Sequence, residues 1–196
     1  MERSPKVQKE VIENCKAGDE SAFAEIVLAY EKKVFNIAFR MLGNREEAKE
    51  LSQEVFLSVL ESIKGLREEV KFEPWLTQMT LNHCRNRWKY LKRRHYFKTD
   101  SLNDPIETED GEMERHVYDP SGNPETLFEK KMIKEFVQKG LLKLKEDQRE
   151  MIVLRDLQGY SYEEIGKLLS LPEGTIKSRL HRARMDLKGI LERFIH

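Results

Sequence analysis

The stretch SYEEIGKLLSLPEGTIKSRLHRAR, residues 161 to 184, most constrains the fold, because it holds the start and stop signals of two successive short helices. Ser161 and Glu164 have the spacing of a capping box, in which each side chain satisfies a free backbone N–H of the first turn. Pro172 cannot continue the first helix, and Gly174 allows a sharp change of direction. The pattern predicts a helix-turn-helix.

The second helix of this pair has two chemically different faces, and we predict that Thr175 caps it. An apolar stripe at helical spacing is expected to pack inward, and it consists of Ile176, Leu180, Ala183 and Leu187. The opposite face carries Lys177, Ser178, His181 and Arg182. Arginine and lysine donate to guanine O6 and N7 in the major groove, whereas hydroxyl groups bind phosphates. This favours DNA binding over the alternative, a solvated basic helix in a helical bundle.

The run LRDLQGYSYEEIGKLLSLPEGTIKSRLHRAR resembles the fourth conserved region of bacterial RNA polymerase sigma factors, specifically the extracytoplasmic-function subgroup. The segment PEGTIKSRLHRAR carries most of the specificity. Two residues depart from the usual pattern: Ser170 replaces a glycine, and Gly166 replaces an alanine. The resemblance implies that this helix reads the minus-thirty-five promoter element through Thr175, Lys177, Ser178, Arg179, His181 and Arg182.

Charge is distributed unevenly along the chain, although its 35 basic and 35 acidic residues give a net charge of zero. Residues 82 to 98 contain seven basic residues and no acid, whereas residues 100 to 129 contain ten acids and a single arginine. A basic, acidic, basic layout permits nucleic-acid binding despite the neutral total. The acidic stretch also contains several prolines and glycines, and its low hydrophobicity predicts little fixed structure.

Apolar residues before the acidic stretch recur at helical rather than strand spacing. We predict helices over residues 6–17, 22–42, 44–64 and 74–94, with Pro74 at the first position of the last one. Two further helices, from 124 to 144 and from 146 to 156, are expected to pack on the helix-turn-helix. The prediction is an all-α protein with two small helical domains, residues 1–98 and 124–196, joined by an acidic flexible linker, residues 99–123.

The predicted helix that contains AKELSQEVFLSVL has a polar face beside its apolar stripe. From periodicity alone this face is a solvated helix surface. The run nevertheless resembles the polymerase-binding helix of sigma factors, which implies docking on the clamp helices of the beta-prime subunit of core RNA polymerase. The residues that this resemblance assigns to polymerase binding are Glu50, Gln53, Glu54, Phe56 and Leu57. For the whole chain it also implies contact with the beta flap.

The helix from Pro74 carries a basic stripe opposite its apolar side. Such a stripe would neutralise phosphates of a nucleic acid. The alternative interpretation is a basic helix surface that faces only solvent. The segment FEPWLTQMTLNHCRNRWKYLKRR resembles the part of sigma factors that melts promoters and reads the minus-ten element. The resemblance implies a pocket for an unstacked base, with residues 66 to 71 at its rim; Trp75 has core packing as its alternative. The implied minus-ten and melting residues are Phe72, Trp75, Asn82, Arg85, Asn86, Lys89 and Arg93.

The sequence indicates no catalytic site, since it contains no glycine-rich phosphate loop, no His-Glu-x-x-His motif and no Gly-x-Ser-x-Gly motif. Its two cysteines lack a Cys-x-x-Cys partner, so neither a disulfide framework nor structural zinc is expected. Adjacent His83 and Cys84 point in different directions on a helix and are interpreted as packing residues. No cofactor or metal is predicted. The absence of an apolar segment predicts a cytoplasmic protein without membrane insertion.

Together these features predict a sigma factor that binds core RNA polymerase and directs promoter recognition, melting and initiation at a stress or envelope-response regulon. The resemblance also implies an anti-sigma factor as partner. The first alternative is a free-standing helix-turn-helix regulator that acts as a dimer on palindromic DNA. The second is a metal-dependent nuclease that uses the acids of the linker.

Overall fold

The computed structural model describes residues 7–67, 71–97 and 124–195, and the side-chain surroundings of residues 7–67, 71–94 and 132–193. Within these ranges the chain is helical and has no strand. The linker and part of the pocket rim lie outside the described residues. The helices are α1 (Lys9–Lys16), α2 (Glu20–Leu42), α3 (Arg45–Ser62), α4 (Phe72–Phe97), α5 (Pro124–Lys143), α6 (Glu146–Ile152), α7 (Tyr162–Leu169) and α8 (Glu173–Ile195).

Among the N-terminal helices, α2 and α3 begin at polar cap residues. Asp19 accepts from the backbone N–H of Ser21 at 2.8 Å before α2, and Asn44 accepts from that of Glu47 at 3.0 Å before α3. Such caps contribute about 0.5–2 kcal/mol each. The helix α4 begins at Phe72, two residues before the predicted start at Pro74. Proline is tolerated there because the first-turn N–H groups have no helical acceptor.

The C-terminal helices α5 to α8 contain the predicted helix-turn-helix, formed by α7 and α8. The capping box of Ser161 and Glu164 is present, with Ser161 N donating to Glu164 Oε2 at 2.7 Å and Glu164 N to Ser161 Oγ at 3.2 Å. Ile165, Ile176 and Leu180 are buried between the helices. The helix α6 continues as a wider π-helical turn over Val153–Leu157.

The turn between α7 and α8 differs from the prediction in two respects. Ser170, not Gly174, has the left-handed backbone conformation, with φ of 53°. The helix α8 begins at Glu173, so Thr175 is not its N-cap. The N–H groups of Thr175 and Ile176 both donate to the carbonyl of Pro172, at 2.9 and 3.1 Å. Proline's fixed φ and its free carbonyl suit the residue before a helix. The helix α8 therefore starts earlier than expected from Thr175 as its N-cap.

Helices from the two halves are in contact, and here we call α1–α4 the N-terminal domain and α5–α8 the C-terminal domain. The Gln138 side chain joins α5 to α2, since it accepts from Arg40 at 2.9 Å and donates to the carbonyl of Phe39 at 3.0 Å. A methyl group on Gly43 would collide with the Leu142 side chain, so the two halves of the protein approach closely at this point. The domains therefore pack directly on each other.

Arg149 lies fully buried at the centre of this contact. Its guanidinium donates to the carbonyls of Leu141, Leu142 and Leu144, at 2.9, 2.9 and 3.2 Å, and also to that of Met41. Arg149 thereby satisfies free carbonyls at the C-terminal ends of α5 and α2, one helix from each domain. Burial lowers the pKa of Arg149 to about 10, while the charge of Glu146 opposes that shift.

Candidate nucleic-acid interface

The first three turns of α8 present basic side chains to solvent. Ile176, Leu180 and Ala183 are buried against the rest of the domain, so Lys177, Ser178 and Arg182 are left on the outer side. Lys177 forms an ion pair with Glu173 at 2.6 Å, and its Nζ lies 5.6 Å from the centre of the Tyr162 ring. The hydrogen bond to Glu173 raises the pKa of Lys177. The ammonium group is therefore held at the start of the helix.

Three side chains on this helix remain available for a ligand. Among the described residues, none forms a hydrogen bond or ion pair with Arg179, His181 or Arg182. Arg184, by contrast, is bound to Asp156 through both Nε, at 3.0 Å, and Nη2. Arg179, His181 and Arg182 thus differ from Arg184, which is engaged within its own domain.

The helix α4 carries the predicted basic stripe, with Asn82, Asn86, Lys89 and Arg93 exposed. Asn82 is held by its neighbours, because its Oδ1 accepts from Arg85 Nη1 at 2.9 Å and from Gln78 at 3.3 Å. Arg85 is the exception within the stripe. It is half-buried and bound to Glu150 of the C-terminal domain, with Nε 3.4 Å from Oε2.

The aromatic residues at the start of α4 form a layered cluster. Phe72 is buried, and its ring centre lies 5.4 Å from that of Tyr30 and 5.7 Å from that of Trp75. Trp75 is half-buried and packs against the core while part of its surface faces solvent. Phe72 thus supports Trp75 from the interior, and Trp75 is the better placed of the two to stack on a base.

The helix α3 shows the polar face predicted for polymerase binding. Gln53, Glu54 and Leu57 are exposed together with Glu50, and Leu57 retains 61 % of its accessible surface. Phe56 differs from these residues, since it is buried with 8 % exposure. It therefore anchors α3 in the core and leaves the neighbouring side chains as the accessible part of this face.

Sequence reasoning missed a residue of this surface, Arg87. Its guanidinium lies 2.6 Å from Glu47, 3.3 Å from Glu50 and 2.6 Å from Glu54, so one cation on α4 fixes three carboxylates on α3. Burial acts to lower the pKa of Arg87, but the charges of Glu54 and Glu47 together outweigh it, so the pKa is raised. No signal within one helix marks Arg87, because its glutamate partners lie on α3.

His83 and Cys84 point to different surroundings, as their adjacent positions on a helix predict. His83 Nε2 lies 3.1 Å from Ser58 Oγ, and its Nδ1 lies 3.9 Å from Glu54. Cys84 is buried, which raises the pKa of its thiol to about 12, with Glu150 as a further cause. In the described part of the chain, no group of three metal-ligating side chains occurs, and no helix is long and apolar enough to cross a membrane.

Comparison with known proteins identifies the family to which the chain belongs. A family profile described as "Sigma-70 region 2" matches residues 26–94, and one described as "Sigma-70, region 4" matches residues 137–187. The ECF RNA polymerase sigma factor SigW of Bacillus subtilis is 32 % identical over 180 residues, which cover 92 % of this chain and 94 % of SigW. The chain belongs to the extracytoplasmic-function (ECF) family of RNA polymerase sigma factors. As a sigma factor it directs transcription initiation, and a free-standing dimeric regulator is not favoured.

Other relatives agree with this assignment. The ECF RNA polymerase sigma-E factor of Escherichia coli strain K12 is 32 % identical over 174 residues, which cover 89 % of this sigma factor and 88 % of the relative. The fold is similar to that of CnrH, whose structure was solved in complex with the cytosolic domain of CnrY. The TM-score is 0.63 at 19 % identity, and the match covers 94 % of this chain and 96 % of CnrH. The sigma factor RpoE of Bartonella quintana, solved with the anti-sigma factor NepR, has a TM-score of 0.62, 23 % identity and coverage of 87 % and 96 %.

Proposed function

We propose that this sigma factor recognises a two-part promoter, with α8 on the minus-thirty-five element and α4 on the minus-ten element. The observation that carries the proposal is the outer face of α8, where Arg179, His181 and Arg182 have no partner among the described residues. An arginine that is not engaged within the protein is free to donate to guanine O6 and N7. Ser178 and Thr175 lie on the same turn, in reach of phosphates.

The minus-ten role rests on the stripe and the aromatic cluster of α4. Asn86, Lys89 and Arg93 are exposed along about two turns, so they suit successive phosphates of one strand. Trp75 offers an aromatic surface near the start of the same helix, and stacking on an aromatic ring contributes about 1–3 kcal/mol per base. Asn82, whose amide is positioned by Arg85 and Gln78, would hydrogen-bond an unstacked base.

Polymerase docking is assigned to the exposed face of α3. Leu57 and the neighbouring Leu60 expose 61 % and 47 % of their surface, which gives this polar face an apolar centre. Interfaces typically combine such a centre with a charged rim. Glu50 and Glu54 would form that rim, and Arg87 holds both in place. We assign this face to the beta-prime clamp helices and leave the beta flap to the C-terminal domain.

We further propose that domains 1–98 and 124–196 are separate functional units and that the acidic segment between them enters the basic cleft of the polymerase. The proposal rests on the eight acids of residues 99 to 123, which resemble the charge of a nucleic acid. Neutralising Glu107, Glu109, Asp110, Glu112 and Glu114 should impair initiation and leave promoter preference unchanged. Equal initiation with a Gly-Ser linker of the same length would show that the segment is only a tether.

The remaining parts of the proposal concern partners and location. Both solved structures named above are complexes with a second protein, and one of those proteins is called an anti-sigma factor. We propose that an anti-sigma factor also binds this chain. A transcription factor of this kind acts in the cytoplasm and works through binding energy without catalysis. The induced genes are proposed to serve a stress or envelope response.

The experiment that tests this function is run-off transcription with purified core RNA polymerase on genomic DNA fragments. Addition of the protein should produce discrete transcripts that core enzyme alone does not make. A dimeric regulator would bind DNA without creating new transcripts, and a nuclease would shorten the template in the presence of a divalent cation. Either of those results would refute the proposal.

A further inference from the structure

The first residue of α8, Glu173, forms an ion pair with Lys177, which follows it by one turn. The Glu173 Oε1 atom lies 2.6 Å from Lys177 Nζ, and the two side chains are 55 % and 57 % exposed. Lys177 Nζ also lies 5.6 Å from the ring centre of Tyr162, the first residue of α7. The ammonium group is thus held from two sides, and the carboxylate beside it stays accessible.

The neighbours of this pair on the outer side of α8 are short. Beyond its own turn of helix, a methyl group added to Gly174 would meet no atom within 4 Å. Ser178 turns its hydroxyl back to the carbonyl of Thr175, at 3.0 Å. A helix surface without long side chains allows close approach of another molecule. Since the first residues of the second helix contact base edges in a helix-turn-helix, Glu173 and Lys177 are in reach of those edges.

A charged donor beside a charged acceptor matches the edge of a G·C base pair. In this base pair cytosine N4 donates to guanine O6, so the two atoms lie about 2.9 Å apart and both face the major groove. Lysine donates to guanine O6 and N7, and glutamate accepts from cytosine N4. The distance of 2.6 Å between Lys177 Nζ and Glu173 Oε1 is similar, so the two side chains can bind the two bases together.

The other base pairs fit this arrangement less well. In C·G and A·T pairs the amino group lies on the side of the lysine and the keto oxygen on the side of the carboxylate, so donor faces donor and acceptor faces acceptor. A T·A pair has the matching order, but the methyl group of thymine lies where guanine offers N7. The ammonium group of Lys177 then loses one acceptor and faces a methyl group.

We propose that Glu173 and Lys177 read one G·C base pair of the minus-thirty-five element as a unit, with Glu173 accepting from cytosine N4 and Lys177 donating to guanine. This inference rests on the assignment of α8 to that element in the proposed function. It makes Glu173 a specificity-determining residue on a face whose other charged groups are basic. A carboxylate brought close to DNA phosphates is repelled unless a base donor compensates it, so Glu173 acts chiefly by penalising the wrong base pair.

The competing explanation is that the ion pair only stabilises the helix, as exposed glutamate–lysine pairs at this spacing do. The helix α7 supplies a matched control for that effect. There Glu163 precedes Lys167 by four residues, its Oε1 lies 2.6 Å from Lys167 Nζ, and both side chains are exposed. Glu163→Gln therefore makes the same chemical change as Glu173→Gln, in a pair of the same spacing and length on the preceding helix.

The test measures transcription by core polymerase with the full-length protein from a promoter library in which the minus-thirty-five element carries every single-base change. The wild-type yields should show a position at which G·C is favoured about 10-fold over the other base pairs, as expected for one good base contact. With Glu173→Gln this preference should be lost, because the neutral amide also suits adenine. Lys177→Gln should lose preference at the same position, and Glu163→Gln should keep the wild-type profile.

Three results would overturn the reading of a base pair by Glu173: an unchanged profile, an equal fall in yield on every sequence, or the same change with Glu163→Gln. Loss of preference at different positions in Glu173→Gln and Lys177→Gln would overturn the shared base pair. Arg182→Ala separates this inference from the function on which it rests. If Arg182→Ala alters the minus-thirty-five profile and Glu173→Gln does not, only the inference fails; if neither alters it, the assignment of α8 fails as well.

Discussion

The guanidinium carbon of Arg149 lies 4.4 Å from the centre of the Trp88 ring, although the two residues belong to different domains. A cation over an aromatic face is stabilised by about 0.5–2 kcal/mol, depending on desolvation. Because Arg149 also donates to carbonyls in both domains, this pair links α4, to which we assign the minus-ten element, to the end of α5. The sites proposed on the two domains are therefore structurally connected in the free protein.

Substitution of Arg182 tests the assignment of α8. Arg182→Ala should reduce affinity for a minus-thirty-five duplex by about 1–3 kcal/mol and relax preference at one base pair, because a bidentate contact to a base is lost. Fluorescence anisotropy with a set of single-base variants measures both effects. Lys188→Ala is the control, since Lys188 is exposed two turns further along and pairs with Glu192. Equal losses on every sequence would reassign Arg182 to a phosphate, and no loss would refute the role of α8.

Substitution of Leu57 tests the docking face of α3. Leu57→Ala removes an exposed side chain from the proposed interface centre and should weaken binding to core polymerase by about 1–2 kcal/mol. Leu28→Ala is the matched control, because Leu28 on α2 is also exposed, at 73 %. Biolayer interferometry with immobilised core enzyme provides the affinities. If the two variants bind equally well, α3 is not the docking surface.

Charge reversal of Glu54 is a second probe of the same face. Glu54→Arg should weaken core binding further, but it also places a cation against Arg87, which Glu54 contacts at 2.6 Å. Circular dichroism must therefore show a wild-type helical spectrum before the affinity is interpreted. A folded Glu54→Arg protein that binds core polymerase normally would contradict the docking assignment.

Asn82 is expected to act in strand opening rather than in assembly. Asn82→Ala removes the amide that Arg85 and Gln78 hold in position, so thymine reactivity to permanganate at the minus-ten element should fall. Binding to core polymerase and to the minus-thirty-five duplex should not change. Asn36→Ala, on the exposed side of α2, serves as the control. Wild-type permanganate reactivity in Asn82→Ala would remove this residue from the melting site.

The buried thiol of Cys84 gives a chemical test of the packing. Because burial raises its pKa to about 12, only about 0.01 % of the thiol is ionised at pH 8, against about 10 % at the ordinary value of 9.0. Alkylation by iodoacetamide should therefore be at least 100-fold slower in the native protein than in urea, as mass spectrometry of peptides would show. Rapid labelling of Cys84 in the folded protein would contradict its buried position.

The helix-turn-helix could be predicted from sequence because its signals are local. Ser161 and Glu164 form the predicted capping box, and the apolar spacing of Ile176 and Leu180 matches their burial. The start of α8 could not be predicted as well, since Thr175 is a good cap residue but the carbonyl of Pro172 accepts the first backbone hydrogen bonds of the helix. Ser170 takes the left-handed position that Gly174 was expected to provide.

The contact between the domains could not be predicted, because it depends on residues whose types are normally exposed. Arg149 is fully buried, and nothing in its sequence neighbours distinguishes it from a surface arginine. Arg87 escaped notice for a similar reason, as its three glutamate partners lie on another helix. Such long-range polar pairs follow from the packing of helices and not from periodicity along one of them.

The assignment of α8 and α4 to separate promoter elements is tested most directly by transcription start-site mapping. The mapping uses core polymerase with the wild-type, Arg182→Ala and Asn82→Ala proteins. The wild-type start sites should share two upstream elements about two helical turns apart. With Arg182→Ala, the start sites should lose shared sequence preference only in the distal element. With Asn82→Ala, that preference should remain and the transcript yield should fall. If both substitutions altered the same element, or neither changed the transcripts, the assignment of α8 and α4 to separate promoter elements would be wrong.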